Sequence, residues 1–163
     1  MILDDEVFAV ILALIVVGSV FASAQVLRPR VTEPFTAIGL LNSELKIGDY
    51  PKTIVAGYNV TLGLFIDNHM GYPIYYRVYF KIGDNTTLPT ANKSSPLKPV
   101  KYWEGFLDHG QNATFKIIVS VPEPGHRRAL IFELWIYDPV NRTWVYTGRW
   151  NHLYVDVVEA PIP

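Results

Sequence analysis

The sequence predicts an all-β fold, an antiparallel β-sandwich of the immunoglobulin-like class, preceded by one transmembrane helix. Residues 7–27 contain no charged side chain, and beyond residue 30 several segments alternate between apolar and polar residues. Turn-forming residues separate these segments. Alternation with a period of two is typical of half-buried antiparallel strands. About seven such strands in one domain is the pattern of an immunoglobulin-like sandwich.

The uncharged run is long enough to cross a bilayer. Its 21 residues match the roughly 20 helical residues that span about 30 Å of hydrocarbon. A cleaved signal peptide is the alternative to an anchor, because residues 22–24 (Ala-Ser-Ala) fit a cleavage site. A signal peptide normally begins with positive charge, however, and residues 4–6 are all acidic. We therefore expect a retained anchor.

These observations divide the chain into five segments. We predict a short tail (1–6), the transmembrane helix (7–27), a linker (28–34), the sandwich ectodomain (35–159) and a C-terminal tail (160–163). The length of the ectodomain is typical of a single domain.

Two signals disagree about the orientation of the chain. Arg28 and Arg30 follow the span, and the positive-inside tendency would keep them in the cytoplasm. Sequons for N-glycosylation, which occurs on the outer face, lie beyond them at five of the eight asparagines, where chance gives roughly one. The five are Asn59, Asn85, Asn92, Asn112 and Asn141. We expect N-glycans there, a cytoplasmic amino terminus and an extracellular domain, with Arg28 and Arg30 at the outer headgroup layer.

Seven strands are expected. Four segments alternate clearly, namely 59–67, 73–83, 112–121 and 129–138. Three weaker strands fit 35–41, 143–147 and 153–158. Residues 84–99 are rich in proline, serine, asparagine and lysine, and we predict a long loop that carries two of the sequons.

Several aromatic residues alternate onto the outer side of predicted strands. Exposed aromatic side chains mark protein or glycan interfaces, whereas a second core layer is the alternative. The candidates for partner binding are Tyr75, Tyr79, Trp103, Trp135 and Tyr137. Trp103 belongs to residues 102–106, which we interpret as an aromatic loop that plugs one end of the sandwich. The nearby Glu104 and Asp108 leave a sugar site open as an alternative.

No chemistry is predicted for this domain. The chain has no cysteine, which excludes disulfides and thiolate metal sites. Residues 31–163 carry 12 basic and 12 acidic side chains, so charge gives no attraction for nucleic acid. The four histidines have no metal-ligand spacing, and the basic triplet 126–128 is interpreted as a solvated turn. We expect no cofactor, no metal site and no catalytic residue, with a metal site assembled in space as the alternative.

Short motifs connect the chain to a known group of proteins. The motifs are Phe35-Thr36, Tyr50-Pro51, Gly57, Asn68-His69 and the strand 132–138 (FELWIYD). The order and spacing of these motifs cover residues 28–138. In them the chain resembles a mainly archaeal family, the domain of unknown function sixteen-sixteen. The resemblance implies a membrane-tethered β domain outside an archaeal cell. Family members often have several transmembrane segments, whereas one is predicted here. Any function that depends on the additional transmembrane segments is therefore not assigned to this chain.

The function predicted from these features is that of a non-enzymatic accessory or binding subunit. A single span without polar pathway residues cannot transport, so we expect an integral membrane or cell-surface protein as its partner, besides the lipid bilayer itself. The alternative is a structural subunit of a surface filament or layer, assembled through strand addition between sandwiches.

Overall fold

The computed structural model of the chain describes residues 4–27 and 33–160. They form two compact units that divide after residue 33. The first unit contains the helix α1 (Asp5–Leu27). The second contains eight strands, which are β1 (Phe35–Leu41), β2 (Thr53–Val55), β3 (Val60–His69), β4 (Ile74–Gly83), β5 (Lys101–Leu107), β6 (Asn112–Val119), β7 (Gly125–Asp138) and β8 (Thr143–Val158).

The helix α1 confirms that the apolar run is helical. Its 23 residues correspond to about 34 Å, enough for the hydrocarbon core of a bilayer. The hydroxyl groups of Ser19 and Ser23 donate to carbonyl oxygens four residues earlier, at 2.7 and 2.8 Å. The helix therefore leaves neither hydroxyl without a partner, as a lipid environment requires. By length and composition α1 is a candidate membrane span, and a signal sequence meets the same criteria.

The strands form two sheets that pack as a β-sandwich. One sheet has three strands in the order β1-β3-β6, and the other has five in the order β2-β8-β7-β4-β5. Every pairing is antiparallel except that of β2, which runs parallel to β8. The expectation of purely antiparallel sheets is therefore wrong at this one edge, where the three-residue β2 joins the second sheet.

The strand prediction needs three corrections. The strand β2 was not predicted, so the described part of the domain has eight strands rather than seven. Residues 102–106 are not a loop but the middle of β5, which pairs with β4. The weak segments 143–147 and 153–158 are parts of one long strand, β8, interrupted by a bulge. Residues 84–100 form the predicted long connection, without a strand of its own.

A single core lies between the two sheets. Its members come from alternate positions of both sheets, such as Leu64 and Ile66 of β3 and Val78 and Phe80 of β4, each at most 1% exposed. The alternation read from the sequence is thus confirmed for these strands. It also fixes which side chains of the five-stranded sheet point away from the core, and these form its outer face.

The sandwich has two ends with different connections. The end where the chain enters at Phe35, here called the linker end, contains the turns 70–73, 108–111 and 139–142. The opposite end, here called the far end, contains the connections 42–52, 84–100 and 120–124. This division positions the features described below.

Candidate binding surface

Eight aromatic rings lie on the outer face of the five-stranded sheet, in the half nearer the linker end. They come from four neighbouring strands, with two rings on each, and together with Arg77 and Glu104 they form what we call the aromatic face. The rings are those of Tyr75, Tyr79, Tyr102, Phe106, Trp135, Tyr137, Trp144 and Tyr146. Phe106 is 75% exposed and Tyr102 50% exposed, while the other six are partly exposed. The face is therefore open to solvent.

The rings nearest the linker end contact one another across the strands. Tyr75 of β4 stacks on Phe106 of β5, with ring centroids 4.3 Å apart and planes inclined by 8°. Trp144 of β8 lies 5.0 Å from Tyr75 and 5.4 Å from Tyr137. Cross-strand aromatic pairs of this kind stabilise a sheet and hold the rings in fixed orientations.

The second group of rings surrounds Trp135 of β7. Its indole lies 5.5 Å from Tyr79 of β4 and 5.5 Å from Tyr146 of β8. Tyr79 in turn contacts Tyr102 of the edge strand at 6.1 Å. The two groups make a continuous layer of rings across β8, β7, β4 and β5.

A charged pair occupies the middle of the aromatic face. The guanidinium of Arg77 donates from Nε and Nη2 to Oε2 of Glu104, at 2.9 and 2.6 Å, and from Nη1 to the hydroxyl of Tyr79. It also lies 4.2 Å from the ring centroid of Tyr102 and 4.1 Å from that of Trp144. Hydrogen bonds from Arg77 hold the pKa of Glu104 below its ordinary value, so this carboxylate stays ionised at neutral pH. The pair leaves the face neutral but gives it a fixed polar centre.

In the half of the outer face towards the far end, Trp150, His152 and Tyr154 of β8 stay at least partly exposed. The centre of that half, on β4 and β7, is covered by the loop 84–100. Beneath it, Nζ of Lys81 lies 2.8 Å from Oε2 of Glu133, and both side chains are almost fully buried. The loop bonds to both charges, because Lys81 donates to the carbonyl of Ser95 at 2.9 Å and Ser95 N–H donates to Glu133 at 2.6 Å. The indole N–H of Trp135 also donates to Glu133, at 3.1 Å. Glu133 therefore connects the loop to the aromatic face.

The structure brings together four of the five predicted partner-binding residues. Tyr75, Tyr79, Trp135 and Tyr137 all lie in the aromatic face. Trp103 does not, because its ring lies on the core side of β5, 6.3 Å from Phe80 and about as far from Phe132. Assigning residues 102–106 to a loop hid this alternation, and it also hid Tyr102 and Phe106 as members of the face.

The other predicted site residues are distributed over the surface. All five sequon asparagines are exposed. Three of them lie towards the far end and two, Asn112 and Asn141, at the linker end. Arg28 and Arg30, predicted at the membrane interface, lie outside the described residues.

Two of the four histidines, His69 and His109, lie together at the linker end, whereas His126 pairs with Asp156 at the far end and His152 lies between the rings of Trp150 and Tyr154 on β8. Nε2 of His69 lies 3.1 Å from Oδ2 of Asp67, its ring stacks on Phe35 at 4.7 Å, and His109 lies 5.9 Å away. Nδ1 of His109 accepts a hydrogen bond from the backbone N–H of Gly71. Within residues 4–27 and 33–160, no three acidic or histidine side chains are grouped so that they could hold a metal ion.

The comparisons with known proteins concern the fold. No family model and no curated protein matches the chain. Among solved structures, the CARDB domain of a Pyrococcus furiosus protein in complex with di-metal ions is 14% identical, with a TM-score of 0.45 over 77% of this chain and 89% of that one. A β-glucosidase from Listeria innocua is 11% identical, with a TM-score of 0.42 over 78% of this chain and 16% of the enzyme. A PapD-like domain of human CEP192 is 14% identical, with a TM-score of 0.39 over 82% of this chain and 94% of that one.

Proposed function

We propose that the protein is a membrane-anchored accessory subunit, without catalytic activity, whose extracellular sandwich binds a protein partner through the aromatic face. The observation that carries this proposal is the layer of eight partly exposed rings around the Arg77–Glu104 pair. Tyrosine, tryptophan and arginine are the residues that contribute most to binding at protein interfaces. Monomeric domains rarely leave such a surface open without a function.

The proposal includes an immunoglobulin-like topology for the sandwich. The three-stranded sheet β1-β3-β6 matches strands A, B and E of that fold, and the neighbours β8-β7-β4 match G, F and C. The proposal also places the chain with the archaeal family that it resembles. Asn68, one of the residues that carry this resemblance, is fully buried and donates to the carbonyls of Tyr72 and Leu107. Its place in the motif therefore fits a role in holding two turns together.

The proposed topology is a cytoplasmic amino terminus, α1 as a retained anchor, and an extracellular sandwich with N-glycans on several of its five sequons. The exposure of all five asparagines supports this part, since a glycan must project into solvent. Mass spectrometry of peptides from native membranes should find glycans on these asparagines. Five bare asparagines would contradict the extracellular topology.

Purification of the tagged full-length chain from native membranes tests the binding function. We expect a stoichiometric integral or cell-surface protein to accompany the chain in mild detergent. Phe106→Ala should abolish this association, because the ring is the most exposed member of the aromatic face. Ile118→Ala is the matched control, since Ile118 is also exposed but lies on β6 in the other sheet. Recovery of the wild-type chain as a lone monomer would contradict the proposal.

A further inference from the structure

The strand β5 is a free edge of the five-stranded sheet. It pairs with β4 along all seven of its residues, and no described strand pairs with its other side. In the described part of the chain, the backbone of residues 101–106 makes no hydrogen bonds except those to β4. Every second residue of this stretch therefore points its N–H and C=O away from the sheet. An edge of this kind is a template for another strand.

Other edges of the two sheets are blocked. Two carbonyl oxygens of β1 accept side-chain hydrogen bonds: that of Ile38 from Nδ2 of Asn151 at 2.7 Å, and that of Leu40 from the hydroxyl of Tyr50 at 2.6 Å. The edge strand β2 has only three residues. The stretch of β8 that β2 does not reach contains the bulge. Short edges and bulges are means by which proteins prevent strand addition, and occupied carbonyls have the same effect.

The strand β5 has none of these protections. Its lysine, Lys101, donates from Nζ to the carbonyl of Ile118 at 3.1 Å, so it caps the edge of β6, which also carries the exposed Lys116. Its acidic side chain, Glu104, is turned towards Arg77 of β4. It contains no proline, and its pairing with β4 has no bulge. The least protected edge of the described sheets is therefore the one that borders the aromatic face.

The outer side chains of β5 already have a matching set on β4. In the register of the two strands, the facing pairs are Tyr75–Phe106, Arg77–Glu104 and Tyr79–Tyr102. The two ring pairs have centroids 4.3 and 6.1 Å apart, and the charged pair is joined at 2.6 Å. A strand with an aromatic, a basic and an aromatic residue at alternate positions thus complements β5. The free side of β5 offers the same three side chains to a second such strand.

These side chains are still accessible from the free side. The exposed fraction is 75% for Phe106, 50% for Tyr102 and 36% for the side chain of Glu104. Side chains of an added strand would lie directly opposite them, at the distance where cross-strand pairs stabilise a sheet. The added strand would therefore extend the aromatic face as well as the sheet.

A second copy of β5 complements this edge poorly. Two copies paired antiparallel over their full length would place Glu104 of one copy directly opposite Glu104 of the other. Like charges in directly opposite positions destabilise a pair of strands. The chemistry of the edge therefore favours a strand of a different sequence.

We infer that β5 accepts an extended segment of the protein partner as a sixth, antiparallel strand of this sheet. The segment carries aromatic side chains opposite Phe106 and Tyr102 and a basic side chain opposite Glu104. Main-chain hydrogen bonds then provide affinity, and the alternate side chains provide selectivity. The inference rests on the proposed function and deepens it, because it specifies which kind of segment of the partner binds beside the aromatic face.

A synthetic peptide of the same length as β5 provides the test. The probe is acetyl-Thr-Tyr-Thr-Arg-Thr-Tyr-Thr-amide, which repeats the alternation of residues 75, 77 and 79. It is added at millimolar concentration to the full-length protein in detergent, and amide hydrogen exchange is followed by mass spectrometry. We expect several-fold slower exchange in residues 101–107 and no change in residues 112–119, which form the edge strand β6 of the other sheet. Unchanged exchange in residues 101–107, or equal slowing in both strands, would overturn the inference.

Two N-methylated forms of the peptide distinguish strand addition from side-chain docking. Each form carries N-methyl groups at every second residue, so that one edge of the peptide loses its N–H donors and the other keeps them. Only the form that is blocked on the edge facing β5 should lose the effect on exchange. An equal effect of the two forms would overturn the inference. Replacing the central arginine of the probe with glutamate should weaken binding several-fold, because it places a carboxylate opposite Glu104.

The outcomes separate this inference from the proposed function. The probe requires no natural partner, so failure to purify a partner would leave the peptide test unaffected. Failure of the peptide test would leave the proposed binding function intact, since a partner that docks through side chains alone would still use the aromatic face. Exchange in residues 101–107 that slows with rising protein concentration, without any peptide, would overturn the inference in favour of a second copy of the chain.

Discussion

Replacing Lys81 with methionine tests whether the buried ion pair beneath the loop 84–100 is required for stability. Nζ of Lys81 lies 2.8 Å from Glu133, and the two side chains are 4% and 0% exposed. Methionine preserves much of the side-chain volume but removes the positive charge, so the buried carboxyl group of Glu133 is left without its counter-ion. Removing one partner of a buried pair costs about 3–5 kcal/mol. Because Ser95 and Trp135 still donate to Glu133, we expect the lower part of that range.

Urea unfolding of the full-length protein in detergent measures this loss of free energy. All four tryptophans lie in the sandwich, so their fluorescence reports its unfolding. A loss of about 3 kcal/mol is a large fraction of the 5–15 kcal/mol typical of a whole protein, and corresponds to a fall in Tm on the order of 10 °C.

Lys46→Met is the control for the loss of a lysine charge. Lys46 pairs with Glu44 at 3.0 Å, but their side chains are 73% and 70% exposed, so we expect a cost below about 0.5 kcal/mol. Adding Glu133→Gln to Lys81→Met should recover part of the stability, because a neutral amide needs no counter-ion. If Lys81→Met costs no more than Lys46→Met, the reasoning about the buried pair is refuted.

Three further predictions concern a bulge, a pH dependence and a buried amide. Gly148→Ala should lower the free energy of unfolding clearly more than Gly110→Ala. Both glycines have a positive φ, which costs an L-residue about 1–2 kcal/mol. Only at Gly148 would the added Cβ also collide with the backbone oxygen of Ala91. The pKa of Glu104 is lower in the folded protein than its ordinary value. Its ionised carboxylate therefore contributes stability that is fully present above the unfolded-state pKa and is lost as the pH falls through the folded-state pKa. The difference in unfolding free energy between wild type and Glu104→Gln should therefore shrink from pH 7 towards pH 3, and a constant difference would contradict this assignment. Asn68→Ala should destabilise the protein by about 2–4 kcal/mol in urea, because it leaves the carbonyl of Leu107 and the N–H of Met70 without their partner; a cost below about 1 kcal/mol would argue against this role.

The sequence predicts the long strands well because their alternation is a local property. In β4, the residues at every second position from Ile74 to Phe80 are buried, as the pattern indicates. The short strand β2 has only three residues and exists through its parallel pairing with β8, which no local pattern contains. In β5, Glu104 and Gly105 interrupt the apolar residues, so the segment resembles a loop until its register with β4 places Glu104 opposite Arg77.

Alternation alone does not predict which part of the outer face of the five-stranded sheet is exposed to solvent. Alternation assigns Arg77 and Lys81 to the same side of β4, but it does not say which part of that side a loop will cover. The loop 84–100 buries Lys81 and Glu133 and leaves the aromatic face, with its own Arg77–Glu104 pair, accessible to solvent. The exposed rings leave apolar area in contact with water, and we expect the partner proposed above, rather than the chain itself, to bury it.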